Sequence, residues 1–433
     1  MILSIILLAT IFVFLLLSNV PISFSIGLAT VATMLLNMPP EPAVTQVAQK
    51  VATGLDNFAL LAIPFFILSG QLMGQGGIAR RLINLAKALL GTLPGGLAYV
   101  NIFACMLFGA ISGSAVAATT AIGTFMIPEM SKEGYDKNFS AAVNATSATT
   151  GLLIPPSNIL IVYSLASGSV SVAALFVAGY IPGILTGLSL MVVAAIIGII
   201  KKYRGSERVR LTEVVRRFFD AILSLTLIII VIGGIIVGVF TATEAAAIAV
   251  LYSFLLSVVV YREIKLSELP ALLKKTIVLN AVVMLLIGTS MALSWLMAFE
   301  NIPQTITAAL IGLTNNKIII LLLINMILLV VGTFMDATPA VLIFTPIFLP
   351  VVMQLGISPL HFGIFMILNL CIGIVTPPVG AVLFVGCAVA ETKISYIIKW
   401  LLPLFVAMII SLLLITFIPQ LSLYLPDKLG LIK

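Results

Sequence analysis

Long apolar runs recur along the whole chain and alternate with short polar stretches. Each continuous run is about 17 to 25 residues, the length an α-helix needs to cross the hydrocarbon core of a bilayer. The pattern predicts ten crossings, at roughly 2–18, 21–38, 57–75, 139–167, 170–200, 220–239, 243–261, 276–298, 361–390 and 396–418. Two further apolar stretches, 98–130 and 317–352, turn midway at small or polar residues. Each predicts a re-entrant hairpin. A transmembrane β-barrel would instead show alternating segments of about 10 residues. The stretch "GGIARRLINLAKALLG" (76–91) sets basic residues on an apolar helical pattern and is expected to lie along the membrane surface, as is "LSELPALLKK" (266–275).

Two of the crossings are interrupted in the same way. "GLLIPPSN" at 151–158 returns as "GIVTPPVG" at 373–380, an offset of 222. That offset also carries Pro128 onto Pro350, the tip "ISGSAVAA" (111–118) onto "TFMDATPA" (333–340), and approximately helix 170–200 onto 396–418. The chain therefore reads as two repeats, 1–205 and 218–433, joined by a basic linker, 206–217. The first repeat holds five crossings, an odd number, so the second is inverted. Inverted repeats with interrupted helices are the pattern of secondary transporters. The expected fold is an all-α polytopic membrane protein with re-entrant hairpins and broken helices. In it 98–167 and 317–390 form a moving transport unit and the remaining helices a scaffold.

Composition and charge sharpen this picture. Of 433 residues 61% are hydrophobic and only 9% charged, too few for the surface of a soluble protein of this size. A net charge of +7 would suit an acidic partner, but the basic residues sit in loops. With the basic linker placed in the cytoplasm, eighteen Lys and Arg fall in inside loops and four (Lys50, Lys317, Lys428, Lys433) outside. That imbalance orients the chain with both termini outward and leaves no role for a nucleic-acid partner. Cys105, Cys371 and Cys387 lie in apolar segments without metal-ligand spacing, and His361 is the single histidine. The first segment lacks the basic start and small-residue cleavage site of a signal peptide and is kept as a helix.

The interruptions suggest the chemistry. An unpaired backbone group in hydrocarbon costs several kcal/mol, so a break survives there only inside protein or beside a watery site. There, free carbonyls ligate a hard cation, and free N–H groups of the following half-helix hold an anion. Pro155 and Pro156 stop one half-helix and start the next, Gly151 lets the backbone unwind, and Ser157 and Asn158 add oxygens. Gly373, Thr376, Pro377, Pro378 and Gly380 do the same in the second repeat. The first hairpin turns near Ser112-Gly113-Ser114 and the second near Asp336-Ala337-Thr338-Pro339. Asp336 is the one acid expected at depth, with no basic residue at that level. It would cap the hairpin turn, face a bound cation, or do both. Asp56 is read as a helix cap.

At these residues the sequence resembles the large membrane subunit of tripartite ATP-independent periplasmic (TRAP) transporters. The resemblance is carried by "GLDNFALLAIPFFILSGQLMGQGGIARRL" (54–82), "FGAISGSAVAATTAIGTFMIPEM" (108–130), "TGLLIPPSNILIVYS" (150–164), "VGTFMDATPAVLIFTPIFLPV" (331–351) and "NLCIGIVTPPVGAVLFV" (369–385). It spans essentially the whole chain. It implies an elevator-type transporter of the ion-transporter superfamily in the bacterial inner membrane. The implied partners are a small four-helix membrane subunit, expected as a separate polypeptide, and a periplasmic substrate-binding protein. It implies coupling to Na⁺ and an organic-acid substrate, commonly a C4-dicarboxylate or sialic acid, with a slight leaning to the latter, and no organic cofactor. By resemblance one sodium site falls on Ser112, Gly113, Ser114, Gly151, Pro155 and Asn158. The other falls on Gly332, Asp336, Thr338, Gly373, Thr376 and Pro378. Substrate contacts are expected at Ser114, Ser157, Thr338 and Gly380.

Other functions fit the residues less well. A proton relay needs more membrane acids and histidines. An aspartyl protease needs two membrane aspartates, and a serine protease needs a base beside its serine. A passive channel, or an anion transporter of the same fold without a binding protein, remains as the alternative. Two hairpins facing two inverted breaks suit alternating access better.

Overall fold

The computed structural model describes residues 2–168, 170–203, 205, 211–314 and 316–432. Arg204, Arg208, Arg210 and Lys433, which contribute to the charge count, lie outside the described residues, as does most of the linker. The described chain is helical: α1 (Ile2–Leu17), α2 (Ile22–Asn37), α3 (Pro40–Leu55), α4 (Ala62–Gln75), α5 (Ile78–Leu90), α6 (Gly96–Ser112), α7 (Ala115–Lys132), α8 (Lys137–Thr150), α9 (Asn158–Ser167) and α10 (Val172–Ile200) come first. After the linker follow α11 (Leu211–Ile236), α12 (Ala242–Phe254), α13 (Leu269–Phe299), α14 (Ile302–Leu313), α15 (Lys317–Phe334), α16 (Ala337–Gln354), α17 (Pro359–Gly373), α18 (Ala381–Val389), α19 (Ile394–Phe417) and α20 (Gln420–Lys428). Among the described residues eight helical segments are long and apolar enough to cross a membrane.

Helices α6/α7 and α15/α16 are the two hairpins, and α8/α9 and α17/α18 are the two interrupted helices. Both Pro-Pro bonds, 155–156 and 377–378, are cis. The first halves are the most enclosed helices of the protein. Every residue of α8 from Phe139 to Thr150 and of α17 from Leu360 to Gly373 is buried. This meets the requirement that an interrupted helix at membrane depth be walled by protein. The hydroxyls of α8 are satisfied within the helix: Thr146 donates to the Ala142 carbonyl at 2.8 Å, and Thr149 to that of Thr146 at 2.8 Å.

The repeats interlock. Helix α9, which follows the first break, packs on the arm α16 of the second hairpin, and α18 packs on α7 of the first. The Tyr163 hydroxyl on α9 donates to the Pro359 carbonyl at the start of α17, 2.6 Å away. Ser411 on α19 donates to Ser189 on α10 at 2.9 Å. These two serines are 222 positions apart, the repeat offset itself. A residue meets its own repeat mate only on a two-fold axis, so that axis runs between α10 and α19.

One expectation needs correction. Residues 269–275 do not lie on the surface as a separate helix: only Leu266–Glu268 forms a short 3-10 turn, and α13 runs on from Leu269 through Lys275 as one helix. Pro270 sits at its start, where proline costs nothing because the first-turn N–H groups are unpaired anyway. Helices α3, α14 and α20, of 16, 12 and 9 residues, lie between or after the expected crossings. Helix α10 packs on α6, α8, α9, α17, α19 and α20 with slight contact to α11, and α19 packs on α8, α10, α17 and α18. By packing they belong with the broken helices.

Helix α5 packs chiefly on α6 and α11. Ile78, Leu82, Leu85 and Ala86 are buried on one face. The opposite face presents Arg80 and Arg81 to Glu263 at 3.4 and 3.7 Å, and Lys87 reaches Glu129 on α7 at 2.5 Å.

Candidate functional site

Each hairpin is held to its broken helix by a backbone-on-backbone contact between two glycines. In the first repeat these are Gly109 on α6 and Gly151 at the end of α8; in the second, Gly332 on α15 and Gly373 at the end of α17. A Cβ placed on Gly109 would stand 2.8 Å from the Gly151 Cα, and one on Gly373 would stand 2.5 Å from the Gly332 Cα. Carbon atoms in contact need about 3.5 Å. Only glycine on both sides lets the arm and the helix end approach this closely. Gly151, Gly332 and Gly373 were in the sequence-derived site; Gly109 was missed. The signal was present, since "FGAISGS" carries a glycine just before the tip as "VGTFMD" does.

At the first tip Gly113 adopts φ 59°, the left-handed region that suits glycine, and Ser114 starts α7. The Ser114 hydroxyl accepts from the Ala117 N–H at 3.2 Å and so serves as a helix cap. The Ser112 hydroxyl donates to the Ser114 carbonyl at 3.4 Å. Gly113 leaves room for the Asn158 amide: a Cβ there would lie 2.8 Å from Asn158 Nδ2. Ser112, Gly113, Ser114 and Asn158 are thus brought together. Asn158 Oδ1 is buried and has no hydrogen-bond partner. A buried unpaired acceptor costs about 1–3 kcal/mol, and a cation would remove that cost. Pro155 is buried between Ile154 and Pro156 in the same break. Ser157 is fully buried and its hydroxyl donates across the break to the Leu152 carbonyl. It braces the break and is not free for a substrate.

The second site has the same plan and different exposure. Asp336 caps α16, its carboxylate accepting from the Ala337 N–H at 2.9 Å. It forms no ion pair among the described residues, and it is exposed together with Pro378 and Val379, while Thr338 is half-buried. Thr376 donates to the Ile372 carbonyl at 2.7 Å, which leaves its oxygen lone pairs available. Gly380, at φ 39°, donates its N–H to the Thr333 carbonyl at 3.2 Å and ties the break to the hairpin. The first break is buried and the second open on one side.

Near the second break lies a buried polar chain built from positions that differ in the first repeat. Asn369 on α17 donates to the carbonyl and side-chain oxygens of Asn325 on α15, both at 2.8 Å. Asn325 donates to Thr416 Oγ1 at 3.3 Å. His361 contacts the Thr416 carbonyl through Nε2 at 3.2 Å and Ser422 through Nδ1 at 3.1 Å. The carbonyl fixes the tautomer, so Nε2 carries the proton and Nδ1 accepts from Ser422. The counterpart positions 222 earlier include Phe103, Phe139 and Ala194, which cannot form such a chain.

Residues 8–421 match the family model described as "Tripartite ATP-independent periplasmic transporter, DctM component". The chain belongs to this family. It is 55% identical over 408 residues to the Salmonella typhimurium protein YgiK, covering 94% of both. It is 42% identical over 407 residues to the C4-dicarboxylate TRAP transporter large permease protein DctM of Pseudomonas aeruginosa, covering 94% of this chain and 95% of that one. Over 413 residues it is 38% identical to the sialic acid TRAP transporter large permease protein SiaM of Vibrio cholerae, covering 95% and 96%. The crystal structure of the Alcanivorax borkumensis YdaH transporter has the same fold, with a TM-score of 0.63 at 14% identity over 87% of this chain and 88% of that one. This TRAP large permease is therefore a multi-pass membrane transporter subunit and not an enzyme. Its paired hairpins and breaks are the part of that fold with chemistry to offer.

Proposed function

We propose that this TRAP permease is the large subunit of a Na⁺-coupled importer of a small organic acid. It works in the bacterial inner membrane with a small membrane subunit and a periplasmic binding protein that delivers the substrate. The observation that carries the coupling is a pair of oxygen-bearing groups beside the two hairpin turns: Asn158 Oδ1, unpaired among the described residues, and the Asp336 carboxylate, which accepts from the Ala337 N–H but has no cation beside it among the described residues. Neutral oxygens and one carboxylate suit Na⁺. The first site draws on Ser112, Gly113, Ser114, Gly151, Pro155 and Asn158, and the second on Gly332, Asp336, Thr338, Gly373, Thr376 and Pro378. The substrate carboxylate is held by the N-terminal ends of the half-helices, by Thr338 and Ser114 oxygens and by the Gly380 backbone.

The glycine contacts and crossed packing make hairpins and broken helices one body, to which α10 and α19 add themselves. This favours an elevator, in which that body slides against α1, α2, α4 and α11–α13. Relatives named for C4-dicarboxylates and for sialic acid are of similar identity to this chain, so the acid is a matter for assay. The test is uptake by proteoliposomes holding this chain with its small subunit and cognate binding protein. Labelled succinate and sialic acid are offered with and without an inward Na⁺ gradient. Uptake that needs both Na⁺ and the binding protein supports the reading. Uptake indifferent to Na⁺ removes the sodium sites, and uptake without the binding protein favours the alternative, an anion transporter or channel of the same fold.

A further inference from the structure

A groove of about 290 Å³ lies between α4, α12 and α13, away from the hairpin tips. Its lining residues, among them Phe65, Leu68, Leu72, Val250, Phe254 and Leu272, are all apolar. One end is floored by Ile264, which packs with Leu72 and Leu272. That places the loop 262–265 at this end. Arg262 and Lys265 in the loop, and Lys274 and Lys275 on the first turns of α13, are exposed. The two acids nearby are already engaged. Glu263 pairs with Arg80 and Arg81, and Glu268 accepts from the Lys265 N–H at 3.0 Å.

A slot that is wholly apolar along its length and cationic at one end matches an amphiphile with an anionic head. A partner helix would gain little here. In lipid apolar side chains alone give no drive to associate, and helix pairs rely on small or hydrogen-bonding residues at the contact. Basic residues at the end of an intramembrane groove attract acidic headgroups. We propose that this groove is a binding site for an anionic phospholipid. One acyl chain lies along α4 and α12, and the phosphate sits by Arg262 and Lys265, with Lys274 and Lys275 adding to the positive field around that side of α13. In the orientation given by the loop charges the site opens to the cytoplasmic leaflet.

The probe is phosphatidylglycerol against phosphatidylcholine. The full chain is purified in detergent, delipidated and titrated with each lipid, and bound lipid is counted by native mass spectrometry. Phosphatidylglycerol is expected to bind at least about tenfold more tightly. The variant K265Q/K274Q/K275Q should lose most of that preference. Leu251→Trp, which fills the slot from α12, should abolish retention of both lipids while the protein elutes as wild type. Equal retention of the two lipids, or a preference that survives the triple variant, overturns the site. So does a Leu251→Trp chain that keeps its lipid but no longer co-purifies with the small subunit, since the groove would then be a seat for a helix.

Discussion

Substituting Gly373 by alanine tests the glycine contact that sets the second site. The new Cβ would meet three backbone atoms of Gly332, the Cα at 2.5 Å, the carbonyl carbon at 2.6 Å and the oxygen at 3.0 Å. None can swing away as a side chain would. Reaching even a tight 3.4 Å contact from 2.5 Å needs α15 and the end of α17 to part by about 0.9 Å. Overpacking of this kind costs about 1–3 kcal/mol. Asp336 lies four residues after Gly332, and Thr376 three after Gly373, so their oxygens move apart by a similar amount. A metal site tolerates about 0.2 Å in its distances. The expected result is a folded, less stable protein whose Na⁺ half-saturation for uptake rises at least about tenfold. Gly233→Ala, at a helical glycine with nothing within 4 Å, serves as the control and should leave uptake unchanged. Thermal unfolding in detergent and Na⁺-titrated uptake in proteoliposomes read the two effects. A Gly373→Ala protein with wild-type melting and Na⁺ response would refute the claim that this backbone contact sets the site.

Other substitutions probe separate links. Asp336→Asn keeps the capping oxygen but removes the charge, and is expected to weaken the Na⁺ dependence of uptake; an unchanged Na⁺ response would sink its role as a ligand. Gly70 on α4 meets the first hairpin tip, where a Cβ would stand 2.9 Å from the Ser112 Cα. Gly70→Val should therefore displace Ser112, slowing uptake severely and weakening Na⁺ binding read by scintillation proximity; normal uptake and Na⁺ binding would show that this contact does not position the tip. Asn325→Leu removes the side-chain acceptor of the Asn369 amide and the donor to Thr416 Oγ1, leaving only the Asn325 carbonyl for Asn369, and should destabilise the protein by about 1–3 kcal/mol, visible as a lower melting temperature. A melting temperature equal to wild type would mean water replaces the lost partner.

Some of this protein was written in local pattern. Apolar runs long enough to span a bilayer, the Gly and Pro-Pro interruptions and the 222-residue offset depend only on neighbouring residues or on self-comparison. They gave the helices of the two hairpins and the two breaks to within a few residues, because in hydrocarbon every backbone group must be paired within its own segment. The lateral helices α3, α14 and α20 escaped because a short amphipathic stretch looks the same in sequence as a polar loop. The continuation of α13 through Lys275 was hidden for a related reason: two lysines at a helix end read equally as surface or as a snorkelling terminus.

Tertiary structure alone decided the rest. No sequence pattern says that Gly109 faces Gly151 and not lipid, that Ser157 spends its hydroxyl on the Leu152 carbonyl, or that Asn158 keeps an unpaired oxygen. Each depends on which segments, distant in the chain, are pressed together. The assignment of α10 and α19 to the broken helices is of the same kind. Their apolar surfaces suit lipid, scaffold or transport unit alike, and only the two-fold packing through Ser189 and Ser411 selects among them. The sequence determined where the helices break, because breaking is a local cost. The fold determined what the breaks face, because that is a matter of contact between the repeats.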